Sequence, residues 1–162
     1  MAFLQFSKTQ MIQAIDTSEK LDLGGFQPAT NGELKHVTLG LLKVGLLSSS
    51  MTVKLGLHLS TDFTAQFAFS SEIFVTNIEA GNADITTDTW RAIVRFDFAR
   101  QNINKNQNYR FSLQTTNYTR VGDTSYLAVV RDEPFPIYSL PGATYGSTYP
   151  ASKAVFSFQE PV

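Results

Sequence analysis

The chain has 162 residues, 43% of them hydrophobic, with 13 basic against 14 acidic side chains and a formal charge of −1. That length makes one domain, able to bury roughly 70% of its unfolded surface. The lack of Cys excludes disulfides, thiolate metal sites and a Cys nucleophile, and the near balance of charge, with no Lys/Arg cluster longer than a pair, argues against nucleic acid as a partner.

The opening "MAFLQFSKTQ" (1–10) lacks the basic region, apolar run and small-residue cleavage site of a secretory leader. No stretch reaches the ~18 apolar residues of a membrane span. The expectation is a whole reading frame from Met1, made in the cytoplasm, with no membrane partner. "KTQMIQAIDTSEKL" (8–21) fits a helix or an N-terminal strand followed by a turn. Residues 1–32 are accordingly an arm or a first strand, ahead of a core at about 33–158.

From residue 36 onward a repeat of two dominates. "HVTLGLLKVG" (36–45) is a continuously apolar strand candidate; Gly40 and Gly45 would each cost a helix about 1 kcal/mol. "MTVKLGLHLS" (51–60) alternates Val53, Leu55, Leu57 and Leu59 with Thr52, Lys54, Gly56 and His58. "TWRAIVRFDF" (89–98) sets Trp90, Ala92, Val94, Phe96 and Phe98 against Arg91, Ile93, Arg95 and Asp97. "NYRFSLQTT" (108–116) and "KAVFSF" (153–158) alternate likewise, and "TSYLAVVRD" (124–132) is again more continuously apolar. Successive side chains of a strand point to opposite faces, so each run buries one face and wets the other. The two continuously apolar runs belong at central positions. Between the runs lie "LSSS", "STDF", "EAGNAD", "NINKNQN" and "TRVGD", clusters of turn-forming residues. Strands at this spacing with no convincing long helix predict an all-β fold, two antiparallel sheets packed face to face. "EPFPIYSLPGATYGSTYPAS" (133–152), with four prolines and three tyrosines, reads as a long shaped loop.

The order "ITTDTWRAIVRFDF" (85–98), "INKNQNYRFSLQTT" (103–116), "SYLAVVRD", a Tyr- and Gly-rich loop, then "AVFSF" resembles jelly-roll modules akin to carbohydrate-binding modules, of the kind found in phage structural proteins and bacterial surface proteins. "MTVKLGLHLSTD" and "QFAFSSEI" match the earlier strands, so the resemblance covers roughly 33–158. It implies an antiparallel jelly-roll β-sandwich with little helix, whose work is adhesion or assembly. The late loop lacks the second tryptophan that often marks a sugar site in such modules.

No residue pattern carries catalysis. His36 and His58 belong to no paired-histidine motif, and each reads as a solvated strand histidine. Asp62, Glu72, Asp84, Asp88 and Asp97 are scattered, and no local motif selects the pair a glycosidase needs. No nucleophile elbow, phosphate loop or dinucleotide fingerprint is present. The expectation is a protein that is not an enzyme, with no cofactor and no metal. The candidate partner- or glycan-binding residues are Arg91, Ile93 and Arg95 on the polar face of 89–98, with Phe135, Tyr138, Tyr145 and Tyr149 in the proline-rich loop. Tyrosine combines contact area with a hydroxyl and suits interfaces; Trp90 shares the parity of Phe96 and Phe98 and reads as core.

A cysteine-free sandwich without an export signal fits a virion part assembled inside a bacterium. The expected function is a phage structural protein, a capsid decoration (cement) protein or a head- or tail-fibre component. Its partners would be other virion proteins and sister subunits, with a trimer as the oligomer the resemblance implies. The alternative is a carbohydrate-binding module that stacks a surface glycan on Tyr138, Tyr145, Tyr149 or Trp90.

Overall fold

The computed structural model describes residues 12–16, 20–28, 31–59, 68–81, 91–130 and 144–145. Ten strands fill most of this: β1 (Ile12–Ala14), β2 (Lys20–Gln27), β3 (Gly32–Val44), β4 (Thr52–Leu59), β5 (Ala68–Phe69), β6 (Ile73–Phe74), β7 (Ala92–Ile103), β8 (Tyr109–Thr116), β9 (Tyr126–Val130) and β10 (Thr144–Tyr145). One 3-10 turn, Val75–Asn77, is the sole helical element among the described residues. The first sheet runs β1-β9-β3-β7 and the second β10-β2-β8-β4-β5, with β6 also on β4. Every pairing is antiparallel. The expected all-β, two-sheet architecture is therefore present. β3 and β9, the two most continuously apolar runs, occupy the inner positions of the first sheet.

The core lies between the sheets. Leu34, Val37, Leu39 and Leu41 of β3, with Phe96 and Phe98 of β7, face Val53, Leu55 and Leu57 of β4 and Phe111 and Leu113 of β8. Phe111 stacks on Phe26 of β2 at 5.1 Å between ring centroids and meets Phe98 of the opposite sheet at 6.1 Å. Residues 8–21, which the sequence leaves between helix and strand, supply β1 and the start of β2. Ile15, Leu21, Leu23 and Phe26 are buried in the same core.

Two bulges disturb the alternation. The β2–β8 register shifts between Asp22 and Gly25, and the inward set passes from Leu21 and Leu23 to Phe26. The β3–β7 register shifts between Leu34/Gln101 and His36/Asp97, where one residue of β3 stands against three of β7, and the inward set passes from Leu34 to Val37 on β3 and from Phe98 to Ile103 on β7. An extra residue on one strand moves every later side chain to the other face, which is the ordinary effect of a β-bulge.

The first sheet is buried on both faces over part of its width. Leu42, Tyr126, Ala128 and Val130 form a second apolar cluster, with Ala14 and Val44 packed against it. All five residues of β9 are buried. Strand β7 differs, because its outward side chains stay exposed.

Side chains and turns fix the ends. The Tyr118 hydroxyl donates to the Ile15 carbonyl at 2.5 Å and accepts the Leu127 N–H at 3.0 Å, tying β1 to β9. The β7–β8 turn is held against the β2–β3 loop: Asn31 Oδ1 accepts the Lys105 N–H, and the Pro28 carbonyl accepts that of Asn106. Gly45 leaves β3 at φ +72, where a Cβ would lie 2.0 Å from the Thr124 carbonyl oxygen.

Two changes test this arrangement. Phe111→Ala removes the ring that both sheets share and is expected to destabilise by about 3–5 kcal/mol. Gly45→Ala adds strain of about 1–3 kcal/mol at a left-handed position with no room for a methyl group. Chemical-denaturation midpoints at unchanged slope measure both.

Candidate interaction surface on strand β7

Strand β7 obeys the alternation through the stretch that contains the candidate residues. Val94, Phe96 and Phe98 point into the core, while Ile93 is 49% exposed and Arg95 and Asp97 share its outward face. Half-buried Arg91 precedes the strand. The structure thus places Arg91, Ile93 and Arg95 together. Arg95 Nε donates to Asp97 Oδ1 at 2.7 Å. Both side chains are more than half exposed, so the pair contributes at most about 1 kcal/mol and is readily exchanged for another partner.

The chain from Ser70 to Gly81 arches beside this strand. At one end Ser70 bridges Phe98, and the Ser71 N–H donates to the Asp97 carbonyl at 2.8 Å. Ser70 also binds Leu55 of the second sheet, through N–H to carbonyl at 2.9 Å and by accepting the Leu55 N–H on Oγ at 2.8 Å. At the other end the Gly81 N–H donates to the Lys43 carbonyl of β3 at 2.8 Å. In between, the arch turns away to pair β6 with β4, held by Lys43 Nζ donating to the Val75 carbonyl at 3.0 Å. Between arch and strand lies a cleft of about 570 Å³, lined among the described residues by Ile73 and 77–80 on the arch and by Arg91 with 92–95 of β7. Such a volume falls in the range of ligand sites.

Glu79 and Asn77 of the arch, which give this cleft its second wall, carry no signal in the sequence. The strand of the arch, β6, has two residues, too few to alternate.

Of the other candidates, Tyr145 lies on β10 opposite Phe26 of β2. Phe135, Tyr138, Tyr149 and Trp90 lie outside the described residues, as do Asp62, Asp84 and Asp88. Glu72 is exposed and 4.0 Å from Lys54. Among the described residues no group of three His, Asp or Glu could hold a metal ion.

Both histidines differ from solvated strand residues. His58 is fully buried on the outer face of the second sheet, with Nε2 2.7 Å from Ser112 Oγ. Ser112 Oγ also accepts from Gln114 Nε2 at 3.1 Å. Gly56 makes room for this cluster: a Cβ there would lie 2.8 to 3.2 Å from the Gln114, Ser112 and His58 polar atoms. A histidine on the polar parity can therefore be buried where side-chain hydrogen bonds replace water. The pair is a Ser–His contact in form, yet both side chains have no exposed surface, and it links β4 to β8 within the sheet.

His36 of β3 stands opposite Asp97 and is half-buried. Burial pushes its pKa below 6.5, Arg95 lowers it further, and Asp97 opposes both. The folded protein thus favours the neutral ring, and below 6.5 the unfolded chain binds more protons. This contribution to stability is complete above 6.5 and is lost as pH falls through the lowered folded value. His36→Gln is expected to flatten that acid-side fall, read from denaturation midpoints above and below 6.5. Ser112→Ala, which leaves His58 Nε2 without this contact in a dry site, is expected to cost about 1–3 kcal/mol.

No protein-family model matches the chain, and neither a curated protein nor a solved structure matches it.

Proposed function

We propose that this protein is a non-enzymatic structural component of a phage virion, a capsid decoration or head- or tail-fibre protein, that works by protein–protein contact. The fold-level support is connectivity. Strands β1 to β4 alternate between the two sheets, and the orders β1-β9-β3-β7 and β10-β2-β8-β4-β5 are compatible with two interlocked Greek keys. That favours a jelly-roll reading, an architecture that recurs in viral capsid and lectin domains. Fold analogy carries a class of role and no more, so the site must carry the rest.

The single observation that carries it is Ile93. An apolar side chain stands 49% exposed between two arginines, on a strand whose opposite face is welded into the core by Val94, Phe96 and Phe98. A rigid strand loses little freedom on docking, so modest area suffices when many copies act together. Arginine and an aliphatic centre are the composition of a contact patch with a polar rim.

The test is co-sedimentation with purified particles, scored by mass spectrometry. Wild-type protein is expected in the particle, and Ile93→Asp, an exposed change with little effect on folding, is expected to reduce its occupancy about tenfold or more. Absence of the wild-type protein from particles overturns the proposal.

A further inference from the structure

The cleft beside β7 has one wall that is an open sheet edge. β7 is the last strand of the first sheet, with β3 on one side only. In an antiparallel ladder each residue turns its N–H and carbonyl toward one neighbour, and successive residues alternate. The Asp97 carbonyl accepts the Ser71 N–H, so Asp97 faces away from β3, and the same parity turns the backbone groups of Ile93 and Arg95 into the cleft. Val94 and Phe96 turn theirs to Leu39 and Val37. Among the described residues nothing bonds to the outward groups of Ile93 and Arg95. The short Ser70–Ser71 segment already pairs on this edge at Asp97 and Phe98, and the pairing stops there.

The arch decides what can fill the rest. With its ends bonded to Asp97 and Lys43, it stands across the cleft from Ala92 to Arg95 and leaves a gap alongside, narrow for a second folded sheet edge and wide enough for one strand. That stretch of β7 spans roughly 13 Å at about 3.3 Å per residue. A single extended segment of about four residues fits the length, and the main-chain groups it needs are in place.

We infer that the β7 edge is a β-augmentation site: a short extended peptide from a partner protein lies between β7 and the arch, bonded to the backbones of Ile93 and Arg95. The same parity governs its side chains. A residue beside Ile93 meets an exposed aliphatic surface. A residue beside Arg95 meets a guanidinium whose partner among the described residues is the solvent-exposed Asp97. The occupant therefore carries an apolar residue followed or preceded by a carboxylate at a spacing of two. This deepens the assembly reading, since it names the chemistry of the partner at the same strand, and rests on it for the identity of the source.

The test uses the whole protein with three eight-residue peptides of alternating Val and Thr that carry Glu, Gln or Lys at one central position. Amide exchange of the unliganded protein is expected to be fast at Ile93 and Arg95 and slow at Val94 and Phe96. The Glu peptide is expected to slow exchange at Ile93 and Arg95 and to bind about tenfold tighter than the Lys peptide. N-methylation of its alternate amides, which leaves the protein untouched, is expected to abolish binding. Ile93→Pro removes an edge-facing N–H without breaking a bond to β3 and is expected to do the same. Slow exchange at Ile93 in the unliganded protein overturns the inference, because the edge is then already covered. So does failure of all three peptides to protect these amides at millimolar concentration. Particle incorporation that is lost in Ile93→Asp but intact in Ile93→Pro leaves the assembly reading standing and removes the strand-addition one. Peptide binding at the edge without incorporation does the reverse.

Discussion

Phe111 is the residue on which the two sheets depend. Its ring lies nearly parallel to that of Phe26 in its own sheet, with 10° between planes, and tilts at 53° against Phe98 in the other. Aromatic rings prefer such offset and tilted contacts, and each adds about 0.5–1.5 kcal/mol beyond the area it buries. Phe98 in turn sits on β7 beside the point where Ser70 bridges the sheets. The core contact and the edge stitch therefore reinforce one another, and both set the angle at which β7 presents its outer face. Under the proposed assembly role a docking strand must hold its position, and these phenylalanine contacts anchor β7 in the core.

How much of this the sequence discloses follows the bulges. β4, β8 and the 92–98 stretch of β7 keep strict alternation, and the inward sets read from them hold: Val53, Leu55 and Leu57; Val94, Phe96 and Phe98; Tyr109, Phe111 and Leu113. β2 is invisible as a strand because its bulge at Asp22 to Gly25 changes parity halfway, so neither half is long enough to count. β3 is visible only from His36 on, past the register irregularity between it and β7. The polar face of β4 and β8 misleads in another way: Gly56, His58 and Ser112 have the composition of a wet surface yet are buried. Hydrogen bonding between side chains on neighbouring strands leaves no trace in the period of a single strand.

Of the candidate site, the β7 half was legible and the arch half was not. Ile93 and Arg95 come from a regular stretch of one strand, with Arg91 just ahead of it, and spacing alone places them on one face. The opposite wall comes from 73–80, where one two-residue strand and a 3-10 turn are set by bonds to Met51, Lys43 and β4. Such positions are dictated by partners far along the chain.

The strand order has a kinetic corollary. β1 finds its partner in β9, β2 in β8, and β3 in β7 and β9. Almost every ladder in the N-terminal third thus closes against a strand emerging after residue 91. During synthesis the early segments wait, greasy and unmated, until the late ones leave the ribosome. Topologies dominated by such distant pairings mature slowly and expose adhesive intermediates. A cell making this protein in quantity would have reason to shield the nascent chain until residues 109–130 arrive.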